Sequence, residues 1–542
     1  MSMTFIDYLS ILLFVAAVLG VSMYKSRREK NSAEYFLAGR TATWWLIGFS
    51  LIAANISTEQ FVGMSGAGAG NVGLAIASYE WVAAITLVFV AVFFLPRFLS
   101  AGIFTIPEYL EYRYNATART IMSLFLMVVY VCVTIVAVVY SGGLTIHAIF
   151  DWPLVPSIWL IGILAAAYTV FGGLKAVIWA DLIQGSALIL GGAIVLFFGL
   201  HAMTPEGGII LGWETFMAQA GEKMHMSLPN DHPELPFTAL LFGIWIPNFY
   251  YWGLNQYITQ RTLASKSLSE GQKGILFAAF LKLLIPFVIV IPGIMAWILF
   301  KNELGGAGGT AKDAAYPVMI RHLIPQGLRG FMLAALAGAV MSSLASMLNS
   351  ASTIFTMDFF KRYIRRTASE RQLVFVGRTT TVLFVVIGCL IAPMLANPRF
   401  GGVFHYIQDF QGFISPGILT AFVFGLVVKR TPAAAAIAAM IANVPIYGAL
   451  HFSVVQAAIV GALPFLGSMS AEGVANIAFL NQMAITAICL TIVMAIVTAI
   501  KPLREPVVMP ENKEFDMSHS SAVPVAGVVI IAVTILLYYV FW

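Results

Sequence analysis

The chain has 542 residues, of which 60% are hydrophobic and only 10% charged, and its formal net charge is +5. A soluble globular protein carries about 25% charged residues, so a chain this apolar along its whole length turns much of its surface to lipid. Its polar stretches are too short for an independent soluble core, its small positive charge marks no nucleic-acid partner, and its three cysteines, Cys132, Cys389 and Cys489, all sit in apolar runs, which excludes a disulfide framework.

The N-terminus, MSMTFIDYLSILLFVAAVLG, has no basic residues ahead of its apolar run, and the basic cluster comes after it. This predicts a retained span, not a cleaved signal peptide. A hydrocarbon core about 30 Å thick takes about 20 apolar residues per helix. That window predicts fourteen spans: 4–24, 43–66, 74–98, 119–148, 154–171, 176–201, 237–259, 271–300, 328–360, 372–394, 403–428, 431–450, 476–500 and 521–541. With both termini outside, 23 of the 30 Lys and Arg fall at the cytoplasmic side, six fall outside, and Lys282 falls within a span. This bias is the positive-inside pattern. The loop 202–236, with five acids and only Lys223, falls outside.

The layout then divides into 1–42, an extra span with a basic cytoplasmic loop; 43–201, five spans; 202–236, an external loop; 237–428, five more; and 429–542, three peripheral spans. Because five is odd, the second block enters the membrane from the opposite side. That is the inverted-repeat plan of many secondary transporters.

Polar residues interrupt this pattern at chosen places. Ser50 to Met64 reads SLIAANISTEQFVGM, with Asn55, Ser57, Thr58, Glu59 and Gln60 in mid-span. Polar groups in hydrocarbon are costly unless paired, and Asn and Ser compete for backbone hydrogen bonds. Ala53 to Ser57 is therefore expected to be a helix break whose free carbonyls can ligate Na⁺. Tyr79 and Glu80 follow in IASYEW. Asn248, Tyr251, Trp252 and Asn255 lie in IPNFYYWGLNQY, where Pro247 is expected to break the helix. Lys282, in FAAFLKLLIPF, needs a partner at that depth, and Glu80 is the candidate. Ser342 and Ser343 lie in AVMSSLASMLNS and Gln408 in FHYIQDFQGF. Amides, one acid–base pair and aromatic rings together suit a neutral polyhydroxylated ligand. Plainer roles stay open: membrane serines commonly bond the preceding turn or a neighbouring helix, and Tyr-Trp pairs commonly mark the interface. GAGAGNVG, 66–73, lacks the Lys-Ser/Thr of a phosphate loop and is expected to be an interhelical turn.

LIAANISTEQFVGMSG, GLAIASYEW, FTIPEYLEYRYN, YWGLNQYITQRTLASKS and SSLASMLNSASTIFTMDFFK resemble the sodium/solute symporter family, in particular its sodium/galactose and sodium/glucose branch, over nearly the whole chain. The resemblance implies an all-α integral membrane protein whose core is two inverted five-helix repeats, the leucine-transporter-like fold, with broken first and sixth core helices. It implies a Na⁺ site at the carbonyls of Ala53, Ile56 and Ala339 and the hydroxyls of Ser342 and Ser343. It implies sugar contacts at Gln60, Glu80, Asn248, Lys282 and Gln408, with Asn55 linking sugar and ion sites. Tyr251 with Trp252 would be the inner gate, Met64, Tyr79 and Phe404 the outer gate, and Asp181 a station on the ion exit path. Two departures stand out: Ala83 replaces a sugar-contacting serine of that branch, and 451–475 is longer than the family suggests.

The expectation is a Na⁺-coupled symporter of a neutral, galactose- or glucose-like sugar working by alternating access in the bacterial inner membrane. Its partners would be Na⁺, the sugar and the lipid bilayer, with no cofactor beyond the coupling ion, as a monomer or weak dimer. Inositol, proline, pantothenate or sialic acid are the rival solutes. A sugar sensor is a further rival, which the lack of a soluble domain after YYVFW weighs against. No nucleophile–base pair or metal cluster in the spans suggests an enzyme.

Overall fold

Hydrocarbon offers no hydrogen bonds, so a spanning chain must satisfy its backbone within itself, and helices do this segment by segment. The computed structural model describes residues 4–26, 37–150, 152–304, 310–397, 403–469, 473–513 and 515–542. Arg27, Arg28 and Lys30 of the basic loop lie outside these. The described chain is almost wholly helical; β pairing is confined to β1 (Ser468–Met469) against antiparallel β2 (Ala475–Asn476) and one bridge, Ala42 to Ser265.

In chain order, α1 (Phe5–Ser26) precedes α2 (Trp44–Asn55), a π turn at Glu59–Met64 and α3 (Ser65–Ala69). Then come α4 (Ser78–Phe89), α5 (Leu95–Ala101), α6 (Ile106–Arg113), α7 (Ala116–Val129), α8 (Ile135–Phe150), α9 (Leu154–Met203) and α10 (Gly208–Ala220). The next group is α11 (Trp245–Leu254), α12 (Gln256–Leu263), α13 (Leu268–Leu299), α14 (Ala315–Leu323), α15 (Leu328–Ile354) and α16 (Glu370–Ile391). The last is α17 (Val403–Gly412), α18 (Ser415–Val427), α19 (Ala433–Ala449), α20 (Ser453–Ala462), α21 (Phe479–Ile500) and α22 (Ala522–Val540).

Among the described residues, nine helices are long and apolar enough to cross a membrane, and two bent pairs, α17–α18 (48°) and α19–α20 (91°), bring the number to eleven. The other three of the fourteen expected spans are the segments that a length-and-hydropathy count handles worst. Two are broken at polar residues, and the third is the first part of α9. A straight helix of the 50 residues in α9 would run about 75 Å. Yet Gln184 packs on Gly338 of α15, while Ile161 and Val340 both pack on Gly142. Ile161 and Gln184 thus meet neighbouring turns of one helix, although a straight α9 would separate them by about 35 Å. The run is therefore not straight: a shorter apolar helix, Leu154–Ala167, precedes the span Leu174–Met203.

Burial separates centre from rim. Within their apolar windows α15 is 83% and α13 78% buried, against 18% for α1, 22% for α22 and 28% for α21. The first two form the core, and the others turn most of their side chains to lipid. The run GAGAGNVG is not simply a turn: α3 is helical through Ala69, and its small residues let α13 approach. A Cβ on Gly293 of α13 would lie 2.2 Å from the Ser65 carbonyl, so that contact admits only glycine.

Candidate functional site

The site is built on two helix breaks. The first falls at Ile56 and Ser57. α2 remains helical through Asn55, Ile56 turns extended (φ −87°, ψ 100°), and helix resumes after Ser57. The Ile56 N–H donates to the Ile52 carbonyl at 2.7 Å, and the Ser57 N–H to the Gln60 side-chain oxygen at 3.2 Å. Carbonyls of the last α2 turn are thereby freed. The break is narrower than Ala53 to Ser57, because Ala53, Ala54 and Asn55 keep helical backbone. Thr58 and Ser141 hydroxyls pair at 2.8 Å, and Ser57 bonds Glu59.

The second break is at Asn255 (φ −80°, ψ 120°), between α11 and α12. Pro247 does not make it; it lies in the first turns of α11, where its missing N–H costs little. Asn255 is fixed by the Tyr130 hydroxyl, and Tyr130 also approaches the Tyr257 N–H at 3.4 Å.

Between the breaks lies a narrow central cavity of about 60 Å³. Ten of the eleven residues expected to be sugar contacts or gates line it: Asn55, Gln60, Tyr79, Glu80, Asn248, Tyr251, Trp252, Lys282, Phe404 and Gln408. Lys282, 1% exposed, donates to Asn55 and to Glu80 and sits 4.9 Å from the centre of the Trp252 ring. A buried ammonium is thus compensated by a carboxylate, an amide oxygen and a ring face. The Asn55 amide donates to the Tyr251 hydroxyl at 3.0 Å, and the Tyr251 and Tyr257 hydroxyls pair at 2.6 Å. Asn248 Nδ2 bonds the Ile244 carbonyl at 2.9 Å. Gln408 Oε1 is buried without a protein partner, so it offers a free acceptor at the wall.

The expected ion ligands are all buried. Ser343 Oγ donates to the Ala54 carbonyl at 3.2 Å and reaches the Ala53 carbonyl at 3.5 Å. Helix α15 therefore meets the open end of α2 at hydroxyl and carbonyl oxygens, neutral hard donors suited to a small monovalent cation. Ile56 borders the same end, and Ala339 lies one turn before Ser343. Ser342 points elsewhere: its hydroxyl bonds Asp181, which also accepts from Ser50 at 2.5 Å and from Arg261 at 3.0 Å. Asp181 is thus a fixed corner of a buried network beside the break.

Tyr79 and Phe404 meet edge to face, centroids 4.9 Å apart. Both line the central cavity and also a second one with Lys312, Asp313, Glu234 and His405, so the ring pair is the partition between them. Met64 is fully buried and lines neither cavity. Tyr251 stands edge-on to Trp252 at 5.1 Å on the wall formed by α11. In the second cavity, burial pushes the Asp313 carboxyl up to about 7, against the opposing effect of Lys312.

Sequence reasoning gave no site role to several wall residues: Glu59, Thr134, Tyr257, Met347 and Gln411. Glu59 and Tyr257 stood inside the quoted polar runs, and that was the available signal. It also counted Arg261 among the charges at the cytoplasmic edges and did not foresee its burial. Arg261 is 1% exposed and ion-paired with Asp181; it donates to Ser50 Oγ at 2.7 Å and also bonds Ser346. Arg113 is likewise buried, with its guanidinium on the Gly425 and Val428 carbonyls at 2.9 Å.

Residues 35–443 match the model of the family described as Sodium:solute symporter family. The chain is 44% identical over 486 residues to the sodium/glucose cotransporter of Vibrio parahaemolyticus, covering 86% of this chain and 88% of that protein. It is 35% identical over 455 residues to sodium/myo-inositol cotransporter 2 of Mus musculus, covering 78% of this chain and 67% of that one. Its fold is similar to that of a solved Na⁺-coupled sialic acid symporter, with a TM-score of 0.77 at 24% identity over 93% of this chain and all of the other.

Proposed function

The chain belongs to the sodium:solute symporter family, and we propose that within it this protein couples Na⁺ entry to uptake of a neutral, galactose- or glucose-like sugar by alternating access. It is a multi-pass membrane transporter with the leucine-transporter-like fold; members of this family are secondary transporters, not enzymes. The observation that carries the sugar reading is the internal neutralisation of Lys282, among the described residues the only lysine in the cavity wall. Lys282 is bonded to Glu80 and Asn55, which leaves no free cation among the described wall residues for a substrate carboxylate. Amide and carboxylate oxygens then face a cavity walled by Tyr79, Tyr251, Trp252 and Phe404, which matches hydroxyls on one side and ring C–H on the other.

In this reading Na⁺ sits where Ser343 meets the Ala53 and Ala54 carbonyls, with Ile56 and Ala339 at hand; Ser342 would join only by leaving Asp181. It draws α15 and α2 together and so fixes Asn55, which touches both Lys282 and Tyr251. Leaving inward, past Asp181, the ion would free Tyr251 to move. Na⁺ shifts the population only by binding one state better than the other. The membrane potential supplies about 2.3 kcal/mol per charge per 100 mV, enough for a gradient of about fiftyfold in a neutral solute. No cofactor beyond the ion is needed. The protein would work in the bacterial inner membrane, with both termini and the Tyr79–Phe404 partition toward the outside, as a monomer or weak dimer.

The second reading is symport of myo-inositol, also neutral and hydroxyl-rich, which the similar inositol cotransporter keeps open. Ala83, where the sugar branch has a serine, removes one hydroxyl from the wall and bears on this choice. Competition for Na⁺-dependent uptake of labelled galactose tests both. Glucose or galactose competing at the lowest concentration supports the proposal, inositol doing so supports the second reading, and competition by proline or sialic acid alone overturns both.

A further inference from the structure

α17 carries Phe404 of the partition and Gln408 and Gln411 of the cavity wall. Its other face is tied down at Asp409. The Tyr447 hydroxyl of α19 donates to Asp409 at 2.8 Å, and His451, in the turn after α19, reaches the same oxygen through Nε2 at 3.2 Å. His451 Nδ1 lies 3.0 Å from the Tyr447 carbonyl. Both ring nitrogens therefore face oxygen acceptors. A neutral imidazole has one donor only and would turn a lone pair on one of them; the imidazolium satisfies both. The tie is close-fitting: the Phe413 ring stacks on His451 at 5.7 Å, and a Cβ on Gly412 would fall 2.2 Å from the Tyr447 ring. The 48° bend between α17 and α18 lies at this point.

We propose that His451 is a positioning residue for the central cavity: as imidazolium it holds α17 through Asp409, so that sugar affinity falls when His451 loses its proton. The proposal rests on the sugar reading of the cavity. The side chains of His451 and Asp409 are 36% and 22% exposed. Asp409 raises the His451 pKa above its ordinary value, ahead of the lowering by burial. The other groups facing the pair are Tyr447 from α19 and, one turn before Asp409 on α17, His405, whose ring packs edge-on against Phe479 of α21.

The sign follows. Below the His451 pKa both bonds and the charge are in place; above it the charge attraction to Asp409 is lost and a lone pair faces one of the two acceptors. For a partly exposed pair the expected loss is about two- to fivefold in KM, with kcat held. The test has two arms. In ¹⁵N-histidine-labelled protein in nanodiscs, His451 titrates above about 6.5 and falls toward that value in Asp409→Asn; this arm needs no transport. In Na⁺-driven galactose uptake, the wild-type KM rises between about pH 6 and about pH 8.5. His451→Gln gives the high-pH KM throughout, and His451→Lys, charged over the whole interval, keeps the low KM. An ordinary His451 titration insensitive to Asp409→Asn, or a His451→Gln profile identical to wild type, overturns the proposal. A shifted titration without galactose uptake at any pH upholds the tether and sinks the sugar reading.

Discussion

Lys282 concentrates the chemistry of the cavity, because one ammonium there serves Asn55, Glu80 and the Trp252 ring. Lys282→Ala removes all three contacts and leaves a buried carboxylate, a change of about 3–5 kcal/mol when one partner of a buried pair is lost. Sugar uptake should vanish, and the thermal midpoint should drop. Adding Glu80→Gln should restore much of the midpoint and none of the uptake; restored uptake would remove Lys282 from the site. The Asp181–Arg261 pair differs, since neither residue lines the central cavity. Arg261→Ala should destabilise by a similar amount, and Asp181→Asn in that background should recover part of it, which unfolding of the reconstituted protein measures. Lys282 and Glu80 were legible in the sequence because an isolated charge in an apolar run demands a partner. Arg261 was not: it follows a polar run near a predicted span end, and linear position cannot tell a charge that turns inward from one that reaches water.

At the level of elements the two breaks decide the geometry. The first was legible from Asn and Ser in mid-span, although Ala53 to Asn55 stay helical and only Ile56 and Ser57 leave the helix. The second was assigned to Pro247, yet it falls at Asn255, eight residues on, where the Tyr130 hydroxyl compensates the interrupted backbone. That partner comes from the junction of α7 and α8, and such tertiary support cannot be read from the local sequence. If α15 and the open end of α2 share the ion, Ser343→Ala removes one of its oxygen ligands. The Na⁺ concentration for half-maximal uptake should rise about tenfold, equivalent to about 1.4 kcal/mol, while the maximal rate at saturating Na⁺ changes little. An unchanged Na⁺ dependence would place the ion elsewhere.

For the whole molecule, composition and charge bias led to a multi-spanning helical protein, and the polar interruptions led to its centre. The count of spans was harder to read, because broken and bent helices such as α17–α18 and α9 do not obey a fixed window. Stability should depend on pH through Asp313, whose folded pKa of about 7 lies above the ordinary 3.8. Folding then favours the protonated form, so this contribution is full below the ordinary value, declines as pH rises through about 7, and is flat beyond. Asp313→Asn should remove that decline, seen as thermal midpoints at about pH 5 and about pH 8 drawing closer than in wild type. The central claim is that a cation held at an interrupted helix drives a hydroxyl-rich solute inward. Its most direct test is accumulation of labelled galactose in proteoliposomes under an inward Na⁺ gradient against an equal K⁺ gradient. Accumulation above the external concentration with Na⁺ alone is the predicted result; equal accumulation with both, or none with either, would contradict it.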